Sequence, residues 1–70
     1  MQEPRILTLE EYKSIAERPL DQREPLWIEW RDGSGAGWRI PQRAYCQYGI
    51  DWRAWTSRPT DVQREAPWNG

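Results

Sequence analysis

The spacing of apolar positions changes along this chain, and each change marks an element. Leu9, Tyr12 and Ala16, with Ile15 beside them, recur at helical spacing. Thr8-Leu9-Glu10-Glu11 opens that stretch as a capping box, in which the Thr8 hydroxyl accepts from the Glu11 N–H and the Glu11 carboxylate accepts from the Thr8 N–H. Glu10 and Glu11 favour the positive end of the helix dipole, and Arg18 followed by Pro19 closes the segment. A helix of about ten residues is marginal alone, so this one depends on packing.

From Leu26 the period falls to two. Leu26, Ile28 and Trp30 alternate with Trp27, Glu29 and Arg31, the pattern of a half-buried strand. Asp32-Gly33-Ser34-Gly35-Ala36-Gly37 interrupts the alternation and Trp38-Arg39-Ile40 resumes it, which predicts a β-hairpin. Pro41 has no N–H to donate, so the second strand ends there or lies at an edge. Residues 42 to 50 fit more than one reading, since Ala44, Tyr45 and Cys46 suit a helical turn or another short strand before Gly49, with a loop and a short turn the favoured one. Asp51 to Ser57 alternates again, with Trp52, Ala54 and Thr56 facing one way and Arg53, Trp55 and Ser57 the other, as a third strand that Pro59 ends. Thr60-Asp61-Val62-Gln63 repeats the capping-box logic for a helical turn that Pro67 stops, after which Trp68 can fold back on the sheet.

These elements predict one small α+β domain over 1–70: an N-terminal helix packed on an antiparallel sheet of about three strands, with a C-terminal helical turn. Residues 1–6 and 69–70 are expected to be flexible. Alternation sends Trp27 and Trp30 to opposite faces, so one face lies under the helix with Trp30 and Trp52 as a core pair. The other is expected to expose Trp27, Trp38 and Trp55, while Trp68 tethers the C-terminus.

Composition explains why aromatics carry so much. Seventy residues bury only about 60% of the surface an unfolded chain exposes, and with one cysteine and no histidine neither disulfides nor a metal site of the usual kind supports the fold. Six Trp and three Tyr remain. A well-buried Trp removes about 150 to 250 Å² from water, on the order of 4 to 6 kcal/mol before entropy. A single unpaired cysteine, and no cationic start with an apolar run in the first 25 residues, predict a cytoplasmic protein. The apolar runs are too short to cross a bilayer.

The net charge of −1 is uneven. Residues 1 to 37 are acid-rich, whereas 38 to 58 carry Arg39, Arg43, Arg53 and Arg58 against Asp51 alone. Nine of the ten basic residues are Arg, which favours stacking and bidentate contact over simple solvation.

Catalytic chemistry has few candidates. Without histidine the commonest general base and metal ligand are missing, and Cys46 lacks a partner to activate it, so a non-enzymatic protein without cofactor or metal is expected. Gly33, Gly35 and Gly37 lie between two strands with no following Lys, a hairpin loop rather than a phosphate loop. Trp30, Trp52 and Pro59 are superficially like a WW domain, but the paired central aromatics and the histidine of that family are missing.

Trp38-Arg39, Arg43, Tyr45, Tyr48, Trp52-Arg53 and Trp55 interleave cations with aromatic faces. Three readings fit. Trp, Tyr and Arg concentrate binding energy at protein interfaces, which makes Trp27, Trp38, Arg39, Arg53 and Trp55 the candidate partner-binding residues. The same composition suits a platform for single-stranded nucleic acid, though an acidic pI of about 5.3 weakens that alternative. Stacked Arg and Trp also stabilise a sheet without any ligand, and a self-associating structural subunit is the third reading.

Leu7-Thr8-Leu9-Glu10-Glu11-Tyr12, Glu24-Pro25-Leu26-Trp27-Ile28, Tyr48-Gly49-Ile50-Asp51-Trp52-Arg53-Ala54-Trp55 and Arg58-Pro59 together resemble a family of short uncharacterised proteins of phages and prophages of gut Firmicutes. Its pattern is a leading "LTLEE" helix, an "EPVW"-like strand and a closing "YG-x-x-W" with an aromatic and "RP". This chain departs from it in its short Gly-rich hairpin, where many relatives carry a longer middle section. The resemblance implies a mobile-element accessory protein that binds a host or phage protein, anti-CRISPR and other host-defence antagonists being one such class. It carries over no catalytic residue and no cofactor.

Overall fold

The computed structural model describes residues 3–68. Helix α1 spans Leu9–Ala16, and both arms of its capping box form: the Glu11 N–H donates to Thr8 Oγ1 at 3.2 Å and the Thr8 N–H to Glu11 Oε1 at 2.9 Å. It is shorter than its pattern suggests. Glu17 already caps it, and Leu9 at its first turn is exposed while Tyr12 and Ala16 are buried.

Three strands follow, β1 (Leu26–Trp30), β2 (Gly37–Arg39) and β3 (Trp52–Trp55), in the antiparallel order β2-β1-β3. β1 is central and is buried at four of its five positions, and β3 is buried at all four. The hairpin turns through Gly33, whose φ of +84° closes the bond from its N–H to Trp30 O at 2.9 Å. β2 stops before Pro41 and is also an edge, so both consequences of that proline hold. β3 is shorter than the Asp51–Ser57 alternation, and residues 42 to 50 form turns.

Residues 1–6 were expected to be loose, but the segment around Ile6 pairs antiparallel with Trp55 as an extra edge: the Leu7 N–H donates to Ala54 O (2.9 Å) and the Thr56 N–H to Arg5 O (3.0 Å). Met1, Gln2, Asn69 and Gly70 lie outside the described residues.

The main core lies between α1 and the sheet and contains Leu7, Tyr12, Ala16, Leu26, Ile28, Trp52 and Ala54. Tyr12 is its hub, stacked on Tyr48 at 5.3 Å and edge-on to Trp52 at 5.2 Å. Each buried polar tip has a partner. Tyr12 Oη accepts from the Gln42 N–H, Tyr48 Oη donates to Leu7 O, and Trp52 Nε1 donates to Cys46 O.

The opposite face is covered by the C-terminal segment. Thr60 and Gln63 exchange side-chain-to-backbone bonds at 2.7 and 3.1 Å, the second capping box, and a single 3-10 turn, Gln63–Glu65, follows. The chain then runs back so that Trp68 lies over the Arg53 guanidinium, 3.9 Å from charge to ring centroid. Among the described residues no helix is long and apolar enough to cross a membrane.

A chain ending at Pro59 should therefore fail to fold, since it would bare Trp27 and Trp55 together with a buried charge pair. Its near-UV circular dichroism should be lost while Thr8→Ala, which removes only a cap, costs about 1 kcal/mol and keeps the signal. A truncated chain with native near-UV dichroism would contradict the cover role.

Candidate functional site

The antiparallel register decides what each aromatic can do. β1 and β3 both carry Trp-x-x-Trp, and their pairing sets Trp27 opposite Trp55, Glu29 opposite Arg53 and Trp30 opposite Trp52. Trp27, Glu29, Arg53 and Trp55 consequently share one face, and Trp30 and Trp52 the other.

The first of these faces is not the exposed aromatic patch that alternation suggested. Trp27, Arg53 and Trp55 are 6%, 2% and 3% exposed, so three of the five candidate binding residues are interior. Arg53 Nε donates to Glu29 Oε1 at 2.7 Å, and the Trp55 indole N–H reaches the same oxygen at 2.7 Å. The other Arg53 nitrogens donate to the carbonyls of Arg64 and Ala66, each at 3.0 Å, and of Pro67 at 3.4 Å. Arg64 contacts Glu29 Oε2 at 3.4 Å and lies over Trp27. Among the described residues no buried side-chain polar atom is left without a partner. This network binds the tail to the sheet, with the Glu29 and Arg53 charges turned inward.

Burial pushes the Glu29 carboxyl up, but the hydrogen bonds and charge of Arg53, with Trp55 and Arg64, outweigh it and hold the group below its ordinary value. Arg5 holds the exposed Glu11 down at about 2, and Ser34 lowers Asp32 by hydrogen bonding.

The helix-covered face is the one left open. An α1 of eight residues is about 12 Å long and leaves part of the sheet uncovered. The result is a groove of about 800 Å³ floored by Tyr12, Ile28, Trp30 and Trp52. Trp38, Arg39 and Ile40 of the edge strand and its exit form one wall; Gln42, Ala44 and Cys46 form the other. Trp30, expected in the core with Trp52, does stand beside it at 6.1 Å between ring centroids, but it is 37% exposed and sits at the groove's lip. Trp38 is 55% exposed, and Arg39 and Ile40 are exposed too. Of the candidates, Trp38 and Arg39 therefore stay accessible: Arg39 faces the groove, whereas Trp38, paired with Trp27, projects to the other face of the sheet and meets the groove only along the edge strand.

Trp30 and Ile40 were not among those candidates. Their signal was present: a Trp at the last position of a strand, beside a glycine loop, has no following residue to cover it. Cys46 is also exposed, at the rim. No protein-family model, curated protein or solved structure matches this chain.

The lowered Glu29 carboxyl fixes the sign of an acid effect. A group whose folded pKa is depressed stabilises above its unfolded value, near 4.5, and loses that contribution as pH falls through the folded value; Glu11 and Asp32 act in the same direction. The melting temperature should hold from pH 7 to about 5 and fall below about 4.5. Glu29→Gln should cost about 3 to 5 kcal/mol at pH 7, because it strands Arg53. A melting temperature unmoved by acid down to pH 3, or a stable Glu29→Gln variant, would contradict this role.

Proposed function

We propose that this protein is a non-enzymatic binding module that takes a segment of a protein partner in the groove between Tyr12, Trp30, Trp52 and the edge strand β2. The observation that carries this reading is an apolar, aromatic-floored groove lying directly beside an unpaired strand edge. Sites of this kind supply two recognition elements at once, main-chain hydrogen bonds from the edge and side-chain pockets from the groove. Trp30 and Trp38, the two most exposed tryptophans described, and Arg39 are of the types that dominate interface energetics. A partner supplied by a host or a phage is what the sequence resemblance implies, and a host-defence antagonist would work through such a surface.

The burial of Trp52, Arg53 and Trp55 weighs against a nucleic-acid platform, because it removes three of the eight interleaved cations and rings. Arg43 is also engaged, donating to the Ala16 and Glu17 carbonyls at 3.4 and 3.1 Å.

Selection of a displayed peptide library on the immobilised full chain tests the reading, with Gly37→Val as the discriminating variant. A Cβ at Gly37 meets nothing within 4 Å and the residue has no positive φ, so valine enters open space beside the groove without strain. Its thermal stability should equal or exceed that of the parent. Selected peptides should bind the parent, lose binding to Gly37→Val and Trp30→Ala, and shift the emission of an environment-sensitive dye on Cys46. Peptides that bind Gly37→Val as well as the parent would place the site elsewhere.

A further inference from the structure

The chemistry of the groove narrows its occupant, an inference that rests on the groove being a binding site. Gly37 and Arg39 lie on its side of β2, opposite Ile28 and Leu26 respectively. Gly37 leaves open space above Ile28. Two positions on, Arg39 is the one charged residue lining the groove, and no carboxylate lines it. Arg39 makes a single long contact, Nη2 to Gly35 O at 3.4 Å, and takes part in no ion pair among the described residues. The Trp30 indole N–H likewise has no acceptor among the described residues. Trp30 Nε1 and Arg39 Nη2 stand 3.6 and 4.0 Å from the position that a Gly35 Cβ would occupy, so an indole N–H without an acceptor and a guanidinium held only by its long bond to Gly35 O flank the loop end of the groove.

We propose that the occupant is an extended acidic segment of another protein that adds as a further strand outside β2. It sets a Glu side chain opposite Arg39 and a large apolar side chain opposite Gly37. An antiparallel addition is the more stable one and fixes the order as Glu-x-apolar, since both side chains must lie on the groove face. The guanidinium receives the carboxylate through its planar fork. The apolar side chain fills the space over Ile28 that glycine leaves. A second copy of this chain fits less well. A three-residue edge bounded by a loop and Pro41 is short against the roughly 800 Å² per partner of a stable interface, and the copy's groove offers Arg39 no carboxylate.

The test uses short peptides blocked at both ends, carrying Glu-Thr-Leu, Gln-Thr-Leu or Glu-Thr-Ser, titrated into the ¹⁵N-labelled full chain. The Glu-Thr-Leu peptide should shift the amides of Gly37–Arg39 and the Trp30 indole, and should bind at least about five-fold tighter than its Gln counterpart. Arg39→Gln should erase that ratio, and Gly37→Val should erase the preference for Leu over Ser. Equal binding of the Glu and Gln peptides in the groove would overturn the acidic preference and leave the groove reading standing. Peptides that bind without touching Gly37–Arg39 would overturn both. Binding by none at millimolar concentration, equal binding by a Glu-free peptide with a free C-terminal carboxylate, or concentration-dependent shifts at β2 without peptide would each overturn the proposal.

Discussion

Two opposite charges sit side by side on the paired strands β1 and β3, inside the protein, and the arrangement of the rest follows from satisfying them. Removing a carboxylate and a guanidinium from water costs several kcal/mol each, and direct contact offsets this only when the remaining donors and acceptors are also paired. Arg53 has more N–H groups than Glu29 can accept. The surplus goes to the carbonyls of Arg64, Ala66 and Pro67, so the C-terminal segment supplies acceptors that the sheet lacks. For a chain of this length, with a total stability of about 4 to 10 kcal/mol, one such network is a large share of the total.

Covering one face in this way determines what is left on the other. Trp27 and Trp55 become packing for the tail, with Arg64 over Trp27 and Arg53 over both Trp55 and Trp68. The face toward α1 holds the main core at one end, around Tyr12, and remains open at the other because the helix is too short to reach it. Gly37 and the glycine loop add no bulk there. The groove arises from small residues at the edge strand as much as from large ones on its floor.

Local signals in the sequence proved the dependable ones. Both capping boxes form, and the alternation at Leu26–Arg31 and around Trp52–Trp55 marks real strands, because each depends on residues a few positions apart. Facing was less legible. Period-two alternation separates two faces without saying which is covered, and Glu29 and Arg53 beside Trp27 and Trp55 have the composition of a solvated surface. Their burial depends on a pairing across 24 positions and on a tail that returns only at the end of the chain. The repeated Trp-x-x-Trp was the available clue: laid antiparallel, it matches Trp with Trp and Glu with Arg. Of the candidate site, Trp38 and Arg39 were legible as exposed residues of a short edge strand; Trp30 was not, since its alternation with Trp27 placed it simply under the helix.

The division of tryptophans into interior and accessible sets is the claim on which both the fold and the proposed function stand. Hydrogen exchange of the indole N–H groups, followed by NMR on the intact chain, measures it directly. The Trp52 and Trp55 indoles, bonded to Cys46 O and to the Glu29 carboxylate, should exchange only with global unfolding, while those of Trp30 and Trp38 exchange at nearly solvent rates. A Trp55 indole that exchanges as fast as that of Trp38 would contradict it.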